Sequence, residues 1–455
     1  MRILWTLPYL PWPTTSGSKT RQYHLLRALA QQGHRITLLV QSKIPLCDAA
    51  REALEPLLER LIVLPRRPLH SPLNLLASPI IDYPMRAIIN GLSPGLRRQF
   101  EQLLDEPWDV IQIEHSYSFQ PFEKALQARE LPYMLCEHNL ESVTGAACHD
   151  RLPLWLRPLN AFDRWRYRRW EQRVLRQPTE VVAVSPHDAE LISQVSGRPV
   201  KVVVNGVDCD YYQNVHPALH SQRLLFVGNF EYAANVEAVE WALEEILPQV
   251  WMSNPAVRLA IAGHALPASW KLRWNDPRIE WVGYRPDLRE LQRRSALFFA
   301  PLRYAGGSKV KILEAMAAGL PVISTGKGVS GLAANNGEHY LGSDDGDQLA
   351  LLVTQLLNQP WRMCQLSEAG RQFARNRHDW SVAAQQLETV HMRLTQAATA
   401  GAPKALAPGW VAQPSSSLSG MNGTLSPGFG VLPSRTSTKP SAQAALRSTP
   451  ELWFL

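Results

Sequence analysis

The segment Gly306-Gly-Ser-Lys-Val-Lys-Ile-Leu-Glu-Ala-Met-Ala-Ala-Gly-Leu-Pro-Val-Ile-Ser-Thr325 gathers the chain's most specific set of chemistry-bearing residues. Its glycine-rich start, with Gly307 and Ser308, runs into a helix-period stretch whose first turn carries Lys309 and Lys311. Free backbone N–H groups, the positive end of the helix dipole and two ammonium groups would converge there on an anion. Glu314 follows five residues after Lys309, and a carboxylate so placed can accept paired hydroxyls such as those of a ribose. On spacing alone, an ordinary amphipathic helix with solvated lysines fits equally well.

A second group lies in the first half. Cys136-Glu-His-Asn-Leu-Glu-Ser142 follows a short apolar run, and His138 can there hydrogen-bond a hydroxyl and relay charge near neutral pH. His115, in Ile113-Glu-His-Ser116, is similarly placed. A lone histidine is more often structural than functional. Pro13-Thr-Thr-Ser-Gly-Ser-Lys-Thr-Arg21 centres on Gly17 and offers either a close backbone approach to a ligand or a turn that caps the next helix through Ser18. It is not a Walker loop, because the residue before its lysine is serine rather than glycine. Ser343-Asp-Asp-Gly-Asp347 reads as a turn with Asp347 at a helix N-cap rather than as a metal site. The five cysteines are scattered, without the close pair spacings of zinc or redox sites. No metal and no cofactor are expected.

These residues need elements that aim them. Arg2 to Leu7 reads as a buried parallel strand, Arg21 to Gln32 as a helix ended by Gly33, and Arg35 to Val40 as the next strand, which together make one βαβ unit. Apolar runs at Val110–Ile113, Tyr133–Cys136 and Val181–Val184 each end in polar residues, where a doubly wound sheet carries its functional loops. The pattern restarts with strand Leu224–Val227, a loop from Gly228 to Ala234 and a helix from Val236 to about Trp251. Later strands are expected at Leu259–Ala262, Ile279–Val282, Leu297–Ala300 and Val322–Ser324, with helices from about Lys309 to Ala318 and from Asp347 to Leu357. The fold class is therefore α/β, with two Rossmann-like doubly wound domains. The expected divisions are a first domain over 1–203, a second over 204–378, a crossover helix over 379–398, and a Pro/Ser/Gly-rich tail over 399–455 without a sustained period, read as disordered.

Leu313 to Val322, preceded by Gly-Gly-Ser and followed by Ser330-Gly331-Leu332, resembles the donor-binding signature of retaining glycosyltransferases with the GT-B fold (glycosyl transferases group 1, family 4-like). Phe226 to Val236, Leu259 to Gly263, Trp281 to Asp287 and Asn205-Gly-Val-Asp208 follow the family's order, so the resemblance covers about Met1 to Thr395. It implies two domains facing each other across a cleft and transfer of a sugar from a nucleoside diphosphate donor to a saccharide or lipid-linked acceptor hydroxyl, with retention. It also implies a polysaccharide or glycolipid pathway. By the same resemblance Glu314 binds the ribose, Lys309 and Lys311 face the diphosphate, Tyr284 and Arg285 line the base pocket, the Gly17 loop approaches the transferring sugar, and His138 lies beside it as the catalytic histidine. Gly306 stands where many members carry a second glutamate, and Asn229 and Asn235 stand where others have an Arg and a Lys. A catalytically silent nucleotide-sugar-binding or assembly protein of the same fold is the alternative reading.

With 455 residues, 45% of them apolar, the chain can bury a large core, and no apolar run is long enough to span a membrane. A cytoplasmic protein is expected. The net charge of +7 is local: Arg151 to Arg176 contributes +6 and the stretch from Gly401 onward +3. That distribution argues against nucleic acid as a partner. Arg164, Arg166, Arg168 and Arg169, interleaved with Trp165, Tyr167 and Trp170, suit either a peripheral contact with an anionic membrane surface or a solvated helix whose tryptophans face inward.

Overall fold

The computed structural model describes residues 1–43, 45–66, 83–84, 93–144, 157–304 and 309–399. Gly307, Ser308, Trp155 and the tail from 400 onward lie outside them. The first sheet comprises β1 (Arg2–Leu7), β2 (Arg35–Ser42), β3 (Arg60–Pro65), β4 (Val110–Glu114), β5 (Met134–Glu137), β6 (Glu180–Ala183) and β7 (Lys201–Val202). All pairs are parallel, in the order β3-β2-β1-β4-β5-β6-β7. The second comprises β8 (Arg223–Val227), β9 (Arg258–Ala262), β10 (Ile279–Gly283), β11 (Leu297–Ala300), β12 (Val322–Ser324) and β13 (Leu341–Gly342), in the order β10-β9-β8-β11-β12-β13. Helices cover both faces of such sheets, which is why the strands read as unbroken apolar runs. In each sheet the order reverses beside the first strand, and the crevice at the carboxyl ends of the strands there is where this architecture places ligands.

Six helices matter for the site: α1 (Gly17–Gln31), α2 (Arg157–Leu175), α3 (Pro186–Ser196), α4 (Val310–Ala317), α5 (Pro360–His378) and α6 (Trp380–Thr399). The last returns to the first sheet. Trp380, Leu387 and Leu394 are buried in one core with Trp5, Leu26 and Val40, and His391 Nε2 meets Gln112 Oε1 at 2.9 Å. Asn205-Gly206 lies at the crossing, where a Cβ added to Gly206 would meet the Trp380 ring at 2.5 Å.

Three local expectations are corrected. The first helix starts at Gly17, so Ser18 is inside it, and the N-cap position is Ser16, whose side chain makes no capping bond. Asp345, not Asp347, caps the helix Gly346–Leu357 by accepting from the Gln348 N–H at 2.9 Å, since its extended backbone lets the carboxylate reach back. The helix expected over Val236–Trp251 begins at Ala233 and contains a π-turn at Ala242–Ile246, directly before Pro248, which has no N–H to give the ladder.

Candidate active site

His138 follows β5 and is held at both ring nitrogens. Nε2 meets Glu114 Oε2 at 3.1 Å and Nδ1 meets Ser18 Oγ at 3.2 Å. Glu114 ends β4 and also accepts from Trp5 Nε1 at 3.1 Å and Gln112 Nε2 at 2.7 Å. Burial opposes its ionisation, but these N–H groups prevail and hold the carboxyl at about 2. Glu114 is therefore ionised and takes the Nε2 proton, which leaves Nδ1 to accept from Ser18. Burial in turn pushes the imidazole's pKa down, in favour of the neutral ring. A sugar hydroxyl on His138 would have to take the place of Ser18 at Nδ1.

His115 stands on the His138 ring at 4.3 Å and on Tyr117 at 4.8 Å, while its Nε2 meets the Tyr9 hydroxyl at 3.0 Å. Its backbone is left-handed, at φ 64°. Glu114, His115 and His138 bring ligand-type atoms within 4.8 Å of one another; Glu114 and His138 are hydrogen-bonded to each other, whereas His115 Nε2 is engaged by Tyr9.

In the second domain α4 starts at the carboxyl edge of the sheet. Lys309, at the N-cap position, is 7% exposed, and burial pulls its pKa down to about 8 against the opposing charge of Asp188. Asp188 belongs to α3 of the first domain and also acts on His138. Asp188 on α3 thus acts electrostatically on one residue of each group, Lys309 in the second domain and His138 in the first. Lys311 Nζ donates to Asn235 Oδ1 at 2.7 Å and lies 4.5 Å over the Phe226 ring. Burial, then the charge of Lys309, bring its pKa to about 7. Asn235 donates onward to the Asn229 carbonyl at 2.7 Å, so Lys311 reaches into the loop after β8 where the family's Arg and Lys are missing. That loop is tight: Gly263, at φ 146°, leaves room for the Gly228 carbonyl, which a Cβ would meet at 1.7 Å.

Glu314, one turn further, has its carboxyl raised to about 7 by burial, with the Tyr212 hydroxyl bonding to it. Tyr212 packs edge-on against Tyr211 at 5.0 Å, and Arg289 lies 4.1 Å over Tyr211. Tyr284 and Arg285 stay exposed at the end of β10, with Tyr284 edge-on to His264 at 6.1 Å. Sequence reasoning did not identify Glu114, Tyr9, Asp188 or Tyr212, and it weighed Ser18 only as a helix cap and not as a partner of His138. The one sequence signal for Glu114 was polar Gln112 and Glu114 alternating in a strand otherwise apolar throughout.

Two parallel doubly wound sheets in succession define a two-domain Rossmann-like architecture of the GT-B kind. Residues 16–208 match the glycosyl transferase 4-like domain and residues 221–359 match glycosyl transferases group 1. With both matches in the order of the two sheets, the chain is a glycosyltransferase of the GT-B fold. A 44.6 kDa protein of the cps region of Klebsiella pneumoniae is 22% identical over 346 residues, 74% of this chain and 85% of that one. A glycogen synthase of Mycobacterium tuberculosis is 24% identical over 421 residues, 86% of this chain and 94% of that one. HepE of Anabaena, solved in complex with UDP and glucose, superposes with a TM-score of 0.59 at 17% identity over 86% of this chain and 100% of its own.

Proposed function

We propose that the protein transfers a sugar from a nucleoside diphosphate donor to an acceptor hydroxyl with retention, in the synthesis of a polysaccharide or glycolipid on the cytoplasmic side. One observation carries this reading: Lys309, Lys311 and Glu314 project from a single helix start, with the cations ahead of the carboxylate, in the order a diphosphate and a ribose require. The family's implied activity and the UDP bound by HepE fit the same assignment. Lysines and backbone N–H groups would stabilise the departing diphosphate, and the cleft would exclude water. The oriented His138–Glu114 pair would hold a donor-sugar hydroxyl, and no side chain stands out as a nucleophile, which suits front-face displacement. The test is transfer from a panel of labelled nucleoside diphosphate sugars to saccharide and lipid-linked acceptors, with the anomeric configuration of the product read by NMR. Donor binding without turnover on any acceptor would support the catalytically silent reading, and an inverted product would remove retention.

Membrane association belongs to the same proposal. Along α2 the structure divides the aromatic residues: Tyr167 and Trp170 are buried, while Phe162 and Trp165 are 54% and 52% exposed. Arg169 lies 4.9 Å over Trp165, and Arg168 is exposed beside it. Exposed aromatic rings among arginines suit the headgroup layer of an anionic bilayer. Among the described residues no helix is long and apolar enough to cross a membrane, so the contact would be peripheral.

A further inference from the structure

We infer an oxyanion-binding subsite on Arg66 in the first domain which, on the transferase reading above, receives a phosphate or carboxylate of the acceptor. Arg66 directly follows β3, and its backbone N–H donates to the Ser42 carbonyl at 2.8 Å, so the side chain leaves from the carboxyl ends of β2 and β3. Nη1 turns to the Pro8 carbonyl at 3.4 Å, and Nε is buried without any partner. No carboxylate of the described residues pairs with this guanidinium. Burial pulls its pKa down, with Tyr117 opposing, and Arg66 in turn depresses Lys43 at the end of β2, after burial. A half-buried cation that no carboxylate of the described residues pairs with gains from the arrival of an anion. Nε with Nη2 is the planar fork that takes two oxygens of a phosphate or carboxylate together, which requires the buried Nε to turn out toward the ligand.

The placement joins this edge to the candidate active site. Pro8, which takes Nη1, precedes Tyr9, whose hydroxyl bonds His115, and Tyr117 stacks on the other face of the His115 ring. Arg66 is thus linked through Pro8 to Tyr9 and so to His115, and no hydrogen bond or ion pair among the described residues joins it to α4. An acceptor anchored there by its acid group would present a neighbouring hydroxyl toward the histidines.

The test uses the full chain carrying Lys309→Ala and Lys311→Ala, so that the donor lysines cannot answer for phosphate. Inorganic phosphate at millimolar concentration should raise Tm in this background, and adding Arg66→Gln should weaken that binding about tenfold. Arg66→Lys, which keeps the charge but not the fork, should fall between. Glucose 1-phosphate and dodecyl phosphate then separate a soluble from a lipid source: the one that binds better names it, and equal affinity means that the phosphate alone is read. No phosphate-induced rise, or a rise untouched by Arg66→Gln and Arg66→Lys alike, overturns the subsite. Donor-sugar affinity measured in the single Arg66→Gln variant should match wild type; a parallel loss would assign Arg66 to the donor instead. Because the phosphate readout needs no donor, failure of the donor assignment leaves this result legible.

Discussion

At the scale of single residues, burial moves Lys309, Lys311 and Glu314, the proposed donor-binding groups, toward their neutral forms. Glu314→Ala removes a charged acceptor for two ribose hydroxyls and should weaken donor binding by about 1.5–3 kcal/mol, read by calorimetry; unchanged affinity would put the ribose elsewhere. The pH dependence follows from the shifts. Lys311 and Lys309 lose their charge as pH rises through about 7 and about 8, and Glu314 loses its charge as pH falls through about 7. On the proposed reading the cations serve the diphosphate and the carboxylate the ribose, so affinity should be greatest near pH 7 and decline on both sides. In the Lys309→Ala, Lys311→Ala protein the alkaline decline should vanish while the acid one persists. A flat profile in the wild type would show that these groups do not meet the donor.

At the scale of elements, α2 has two faces with separate duties. Its inner face reaches the loops that carry the histidines: the Tyr167 hydroxyl lies 3.4 Å from Ser116 Oγ, and Glu171 accepts from the Ser142 N–H at 3.2 Å. Its outer face carries Phe162, Trp165 and the arginines. Arg166 is not part of that face, since its Nη2 donates to the Tyr83 carbonyl at 2.5 Å. Replacing Arg164, Arg168 and Arg169 with glutamine should therefore abolish co-sedimentation with anionic vesicles while the melting temperature holds. Wild-type binding should weaken as salt rises, because each basic residue near the surface contributes about 1 kcal/mol, screened over roughly 10 Å at 0.1 M. Binding that survives the triple substitution would move the contact off α2.

At the scale of the whole molecule, the passage between the sheets is a packed joint. Arg21 on α1 is buried and donates to the carbonyls of Val203 and Val204 and to Asn205 Oδ1, at 2.8, 2.6 and 3.1 Å. His378 bridges the Asn205 and Leu332 carbonyls, and His24 stacks on Trp380 at 5.3 Å. Gly206→Ala would drive a methyl into the Trp380 ring and should cost about 1–3 kcal/mol, seen as a lower Tm; a Tm within error of wild type would mean that the joint yields freely. Deleting residues 401–455 should leave Tm and donor affinity unchanged, because a Pro/Ser/Gly-rich segment without apolar periodicity has little to bury. A fall of several degrees would show that it packs on the body.

Local order in the chain was enough to announce two doubly wound sheets, because buried parallel strands must be continuously apolar and each βαβ unit punctuates itself with glycine and polar loops. It also announced the helix that gathers Lys309, Lys311 and Glu314 within two turns of one another. The partners of those residues were not legible. Glu114 meets His138 across β4 and β5, Tyr212 meets Glu314 from another part of the chain, and Asp188 faces Lys309 from the opposite domain; none of these pairs has a fixed sequence spacing. Helix caps were missed for a related reason: Ser16, Ser18, Asp345 and Asp347 are all competent by type, and only the backbone dihedrals choose among them. The division of α2 into an inward and an outward face was likewise settled by packing, since its arginines and aromatic residues alternate too closely for periodicity to separate them. Residue type and spacing determined which chemistry the chain can hold, and only the tertiary structure decided which groups share a proton, a charge or a wall, because those energies depend on distance and burial rather than on order along the chain.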